Sequence, residues 1–410
     1  MLRLVNTSRG YDWGSKAEIP RFLGLEPNDV PVAEVWIGTH PLAPSTDDSG
    51  ASLAEVAGDL PFLVKLLAAD RPLSLQVHPN RAMALEGFEA EEAAGTPLDS
   101  PQRMYKDPHH KPEMAYALTT FDTLVGFRPT AEILRVMSGL DTPVARRLVD
   151  SLSAAPGFAG IVSLVEQLLE VPPTVDEIAE ILVACRAATD QGIDIKRAYV
   201  TALEIAEHFP DDVGVVISMM LNRLTLQPGE AAFLGAGIIH SHLRGMCLEV
   251  MASSDNVLRA GLTNKSLDPA GLVQCLATGM SKLVRVTPEP FGFSTDVFSP
   301  DVEEFALAVS QCSAGHPDTP LPEADVRILV CTGGEVELVN ASGERLAMKR
   351  GDSAYAGRDD GALTIVGTGE VAQIYTPTAE TVVGELIDLV PTFSERALKR
   401  DRRGRGPSGR

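Results

Sequence analysis

Long apolar runs are missing from this 410-residue chain. None approaches the roughly 18 residues that a membrane span needs. The opening Met1-Leu-Arg-Leu-Val-Asn-Thr has no apolar core of a secretory signal. The expected setting is cytoplasmic, with no membrane partner. Cysteine is scarce: Cys185, Cys247, Cys275, Cys312 and Cys331 are odd in number, scattered and without CxxC spacing. That argues against a disulfide framework and a thiolate zinc site. Positive charge is short as well, with 35 Lys and Arg against 56 Asp and Glu and a net charge of −21. No nucleic-acid partner is expected of such a surface. The deficit is uneven, because residues 395–410 hold seven basic residues against Glu395 and Asp401. This stretch reads as a solvated, disordered tail. An acidic body that binds an anionic substrate needs a few basic residues focused in its cleft.

What is present is an ordinary globular composition, 44% hydrophobic and 22% charged, long enough for two or three domains. Val35–Gly38, Phe62–Leu67 and Leu73–His78 have strand length and pattern. From about 129 to 212 the apolar spacing becomes helical, with Thr130 and Thr174 as capping residues. Strands resume near 221, with a Pro228-Gly229 turn, and 326–339 reads as a hairpin turning at Gly333-Gly334. Related turns at Leu226–Ala231 and Lys349–Ala354 suggest two jelly rolls of the cupin kind. The expected fold is mainly β with an α insert. A discontinuous catalytic jelly roll spans 1–128 and 213–285, and a helical insert spans 129–212. A second cupin-like domain covers 286–392, and a basic disordered tail covers 393–410.

Candidate chemistry begins at Ser74-Leu-Gln76-Val-His78-Pro-Asn. On a strand, residues 76 and 78 share a face. Glu113 in His109-His-Lys-Pro-Glu113 and His240 after Gly235-Ala-Gly237 add a carboxylate and an imidazole. Two histidines, a glutamate and an amide oxygen suit one zinc-like ion with room left for substrate. The neutral glutamine leaves that ion a net positive charge and so a stronger Lewis acid. His242 shares the face of His240 and is an alternative ligand. Downstream, Glu249, Asp255, Arg259 and Lys265 punctuate small and apolar residues. Arg259, with Lys65, Lys111 and Lys265, supplies the cations that an anion-binding cleft requires.

Together the motifs Tyr11–Lys16, Ala33–Pro41, Pro72–Asn80, Tyr105–Glu113, Gly229–Leu234 and Leu248–Lys265 resemble those of the type I phosphomannose isomerases along nearly the whole chain. The resemblance implies one Zn²⁺ per chain on Gln76, His78, Glu113 and His240, with Arg259 essential in the active site. It also implies interconversion of mannose 6-phosphate and fructose 6-phosphate through a cis-enediol(ate), supplying mannose for GDP-mannose and glycan synthesis. Glu249, Asp255, His78, His110 and Lys111 are then the candidates for proton transfer. Ser74, Lys65 and Lys265 are candidates for holding the sugar phosphate. A monomer is expected. Two positions depart from the family pattern: His242 replaces its usual tyrosine, and Thr263-Asn264-Lys265 replaces its Thr-Pro-Lys. The competing readings are an iron-dependent cupin oxygenase using His240, His242 and Glu249, and a non-catalytic sugar-binding cupin.

Overall fold

A computed structural model describes residues 1–377, apart from residues 28, 101, 266, 277–284 and 317. The tail expected over 393–410 therefore lies outside the described residues. The fold is mainly β, with one 11-stranded and one 9-stranded sheet and a helical block beside them.

The strand His240–Ala252 organises the first of these sheets. Its opening residues pair with Leu75–Val77 on one side and Phe121–Phe127 on the other. Its later residues pair with Phe62–Ala69 and Glu113–Ala117. The change of partners falls at a register shift between His242 and Arg244, followed by Gly245 at φ 111°. A Cβ on Gly245 would stand 2.4 Å from the Thr120 carbonyl oxygen, so only glycine fits this crossing. The strand thus belongs to two halves of one curved sheet.

Period-2 alternation decides what each half buries. In the second half, Val64, Leu66, Met114, Tyr116, Leu248 and Val250 point outward into a core completed by Phe298, Leu307, Ile328 and Ile374 of the 9-stranded sheet and by Phe305 just before its strand Ala306–Cys312. The intervening Lys65, Glu113 and Glu249 point inward. In the first half, Leu75, Val77, Leu124, Leu258 and Ala260 pack outward on the helices. Gln76 and Arg259 are left on the inner face. Both outer faces are apolar and covered, and the polar residues of these strands line the space between the halves.

The helices follow the apolar spacing. Thr130–Ser138, Phe158–Glu170, Val175–Asp190 and Ala198–Ala206 bury residues such as Ile133, Leu164, Ile178 and Tyr199 in one cluster. Thr174 makes the expected cap, as a full capping box with Glu177. Thr130 does not cap its own helix; its hydroxyl accepts from the Gly157 amide, at the start of a neighbouring helix. The helix Pro143–Ala154 went unread, although Thr142 caps it and Pro143 opens it.

Two strand readings change. The 73–78 run is a strand only over Leu75–Val77. The expected hairpin at 326–339 is one strand, Arg327–Val339, paired along its length with Thr364–Tyr375. Its Gly333-Gly334 accommodates a register shift rather than a turn: Gly334 has φ 70°, and a Cβ there would lie 2.2 Å from the Thr368 oxygen. Leu2–Leu4 pairs with Ser353–Tyr355, so the first residues border the 9-stranded sheet.

Candidate metal centre

Three side chains converge at the inner end of the curved sheet. His78 Nε2 lies 3.3 Å from Glu113 Oε1, and His240 Nε2 lies 3.3 Å from Glu113 Oε2. One ligand atom from each falls within 4.8 Å of the others. Two bonds of roughly 2.1 Å at a tetrahedral angle hold their donors roughly 3.4 Å apart. Each imidazole is oriented from behind, with His78 Nδ1–H donating to the Asn256 carbonyl (2.8 Å) and His240 Nδ1–H to the Ile238 carbonyl (2.9 Å). Carbonyl partners fix this tautomer and leave both Nε2 lone pairs directed at the cluster.

The three residues are at most 1% exposed. Even so, His78 Nε2, Glu113 Oε2 and His240 Nε2 have no hydrogen-bond partner among the described residues. Leaving such a group unsatisfied costs roughly 1–3 kcal/mol, and here three point into one space. A cation accepting all three lone pairs removes that cost. Protonation states agree with this role. Burial lowers the His78 pKa to about 4, against the pull of Glu113, so the ring is a neutral donor. Burial alone would raise the Glu113 pKa, but His78 and the Lys111 ammonium, 3.2 Å from Oε1, hold it well below the ordinary range. Gln76 stands opposite His240 on one strand and opposite Arg259 on the other, so the three share one face.

A second buried network runs behind the cluster. Lys65 Nζ lies 3.3 Å from Glu249 and 3.6 Å from Glu34, and the Trp36 indole N–H donates to Glu34 at 2.7 Å. Burial would depress the Lys65 pKa; Glu34, Glu249 and Glu113 reverse this and raise it. Burial would raise the Glu249 pKa, but Lys65 more than offsets that. His242 joins here. Its Nε2 is 3.3 Å from Glu249 Oε1 and its Nδ1 3.1 Å from Thr123 Oγ1. It stands outside the His78–Glu113–His240 group, and the same holds for Glu249, so the iron triad of the competing reading is not what converges among the described residues.

Towards the mouth, Asp255 is 39% exposed and lies 3.3 Å from His40. Burial would raise its pKa, and the His40 contact holds it below the usual value. Arg259 is half-buried and forms no ion pair among the described residues. Burial, then Arg259 and Lys106, lower the Lys265 pKa, the signature of cations crowded without counter-charge. Ser74 lies half-buried just before Leu75–Val77. His110 turns elsewhere, to Glu304 at 2.7 Å. Glu34, His40, Lys106, Asp107 and Asn256 were not singled out from the sequence. The only signals were the Glu34-Val-Trp36 alternation and the polar density of 253–256. A cavity of about 650 Å³, lined by Tyr116, Met246, Phe293, Gln311 and Glu370 among others, includes none of the clustered residues.

Fold and site define a mainly β protein with a buried His–Glu–His centre suited to a divalent metal. Residues 1–130 match the family model for the phosphomannose isomerase type I catalytic domain. The mannose-6-phosphate isomerases of Salmonella typhimurium and Escherichia coli K12 are each 35% identical to the chain, covering 92% of it and 99% of their own length. The chain belongs to the type I phosphomannose isomerase family. Among solved structures, a mannose 6-phosphate isomerase bound with zinc and yttrium superposes with a TM-score of 0.82 at 34% identity, over 92% of this chain and 100% of its own. The Salmonella typhimurium enzyme bound to fructose 6-phosphate and zinc matches with the same figures.

Proposed function

We propose that the chain is a zinc-dependent mannose-6-phosphate isomerase whose metal is held by Gln76, His78, Glu113 and His240. The observation that carries this is the set of three buried, converging donor atoms without a partner, on the inner surface that also bears Arg259. Bound there, the ion supplies Lewis acidity toward the sugar carbonyl and hydroxyl. Zinc-bound and fructose 6-phosphate-bound relatives support the same cofactor and substrate class.

Isomerisation moves a proton between C2 and C1, and the difficult charge is the enediolate oxygen. Arg259, a half-buried guanidinium with no carboxylate to neutralise it among the described residues, is the residue we assign to that charge. Lys265, with Lys106 and Ser74, meets the phosphate and orients the reacting carbons. Asp255, ionised and open to the mouth, is a proton acceptor of the right exposure. Glu249 and Lys65 are engaged by one another, and Lys111 by Glu113, so their part is to hold the field of the site. In architecture we read a cupin jelly roll at 1–128 and 213–285, the insert at 129–212 and a second cupin-like sheet at 286–392, amended so that residues 2–4 join the last. The chain is read as a monomeric cytoplasmic enzyme.

The test combines metal analysis with a mannose 6-phosphate isomerase assay on three proteins. Wild type should hold one zinc and turn over. Gln76→Ala should lose metal and activity together, and Arg259→Ala should keep zinc while losing turnover by about 10²-fold or more. Iron without isomerase activity, or a fully active Arg259→Ala, would overturn the reading.

A further inference from the structure

Two segments deliver the first metal-cluster residues, and each is short and contains a proline. His78-Pro79-Asn80-Arg81 leads from one ligand into the helix Arg81–Ala93, whose start is fixed by Asn80 accepting from the Met83 amide at 3.0 Å. His110-Lys111-Pro112-Glu113 leads into the other. The far ends of both segments meet at one atom. Glu304 Oε1 accepts from Arg81 Nη2 at 2.6 Å and lies 2.7 Å from His110 Nε2. Glu304 lies in the bend that leads into the strand Ala306–Cys312 of the other sheet, directly before Phe305, which is fully buried in the core between the sheets. Its carbonyl accepts from the Thr376 hydroxyl at 3.2 Å. Its carboxylate is only 14% exposed, and the buried Phe305 beside it fixes the backbone that carries it.

We propose that Glu304 is a positioning residue for the metal centre. One carboxylate oxygen ties the segment that carries His78 to the segment that carries Glu113 and so sets the gap between those two ligands. The proline in each segment fixes one φ angle, so a displacement at Arg81 or His110 reaches the ligand instead of being absorbed on the way. Burial would raise the Glu304 pKa, but His110 and Arg81 hold it low, so the tether is ionised and its hydrogen bonds are charge-assisted. Among the described residues the second sheet has none in the cluster, and this contact, from the bend that enters it, gives it a part in the chemistry. Glu303, its neighbour, reaches only the exposed Arg81 (3.1 Å) and ties nothing together.

The inference rests on reading His78, Glu113 and His240 as metal ligands, and the experiment separates the two claims. Zinc release from the purified holoenzyme to a chromophoric chelator is followed for wild type, Glu304→Gln, Glu303→Gln, Arg81→Gln and Phe305→Leu, with melting temperature and kcat and KM recorded for each. Groups hydrogen-bonded directly to a ligand change metal affinity about 10–100-fold. One step further out, Glu304→Gln should speed release about 3–10-fold and lower kcat with KM nearly unchanged. Arg81→Gln, which frees only the His78 segment, should show a smaller effect of the same sign and keeps the test open should Glu304→Gln fail to fold. Glu303→Gln should match wild type, and Phe305→Leu should lower the melting temperature without speeding release. Release from Glu304→Gln at the wild-type rate, or release that merely tracks melting temperature across the set, overturns the tether. Wild type that holds no zinc overturns the metal reading and the tether with it.

Discussion

The side-chain amide of Asn256 is fully buried and satisfied at both ends. Its Nδ2 donates to the carbonyls of Asp107 (2.7 Å) and His109 (2.8 Å), and its Oδ1 accepts from the Lys106 amide (2.7 Å). Its own carbonyl orients His78. One residue therefore holds the loop that leads to Glu113 and the ring of a second ligand. Asn256→Ala removes these bonds. Asn256→Asp does worse at neutral pH, because it aims a carboxylate at two carbonyl oxygens in a buried site. Asn256→Asp is expected to be the less stable of the two in urea titration and to lose zinc about tenfold more readily than wild type; an Asp variant as stable as wild type would contradict this. The contrast with His78, Glu113 and His240, which converge in the structure, shows what a sequence can disclose at this scale. Those three sit in short, unusual phrases whose residue types are metal-ligating in their own right. Asn256 and Glu34 are ordinary residues whose importance comes from partners 149 residues away in one case and from a buried lysine in the other, and no local pattern encodes that.

Elements were legible where one periodicity ran unbroken, as in Val175–Asp190 and Phe62–Ala69. They were misread where glycine served two purposes: Gly333-Gly334 has the composition of a hairpin turn, and only the long partner Thr364–Tyr375 makes it a bulge within a single strand. The join between sheet and helical block could not be read either. It depends on Arg128, 1% exposed just past Phe121–Phe127, which donates to Glu132 (2.6 Å) and to the carbonyls of Met219 (3.1 Å) and Lys196 (3.2 Å). Removing the carboxylate leaves a buried guanidinium uncompensated, so Glu132→Gln should cost about 3–5 kcal/mol at pH 7. Burial would raise the Glu132 pKa, but Arg128 and Lys196 hold it below its ordinary 4.5. A depressed carboxylate stabilises fully above the unfolded value and loses that contribution as pH falls through the folded one. The difference between wild type and Glu132→Gln in urea should therefore narrow below about pH 4.5; a difference constant from pH 7 to pH 3 would rule out this ion pair as its source.

At the scale of the molecule, two sheets share one core, and the metal centre hangs from the inner face of one of them. Phe298 of the second sheet and Phe305, at the entry to its strand Ala306–Cys312, pack among Leu66, Leu248 and Tyr116 of the first. The sheets are expected to unfold together in one calorimetric transition, with Phe305→Ala costing about 3–5 kcal/mol across the whole of it. The centre adds a term that the chain alone lacks. A ligand that binds only the folded state stabilises by about 2.7 kcal/mol at a hundredfold excess over its dissociation constant. Three buried donors with no partner of their own are where that energy enters. Chelation of the holoenzyme should therefore lower the melting temperature by a few degrees, and added zinc should restore it. Glu113→Gln, which keeps the shape but removes the anionic donor, should melt at the same temperature with chelator or with zinc. Phe305→Ala should melt lower while keeping the full chelator shift, because its loss lies in the shared core and leaves the donors intact. If chelator moves wild type and Glu113→Gln alike, the stabilising ion sits elsewhere, and Glu113 is not among its ligands.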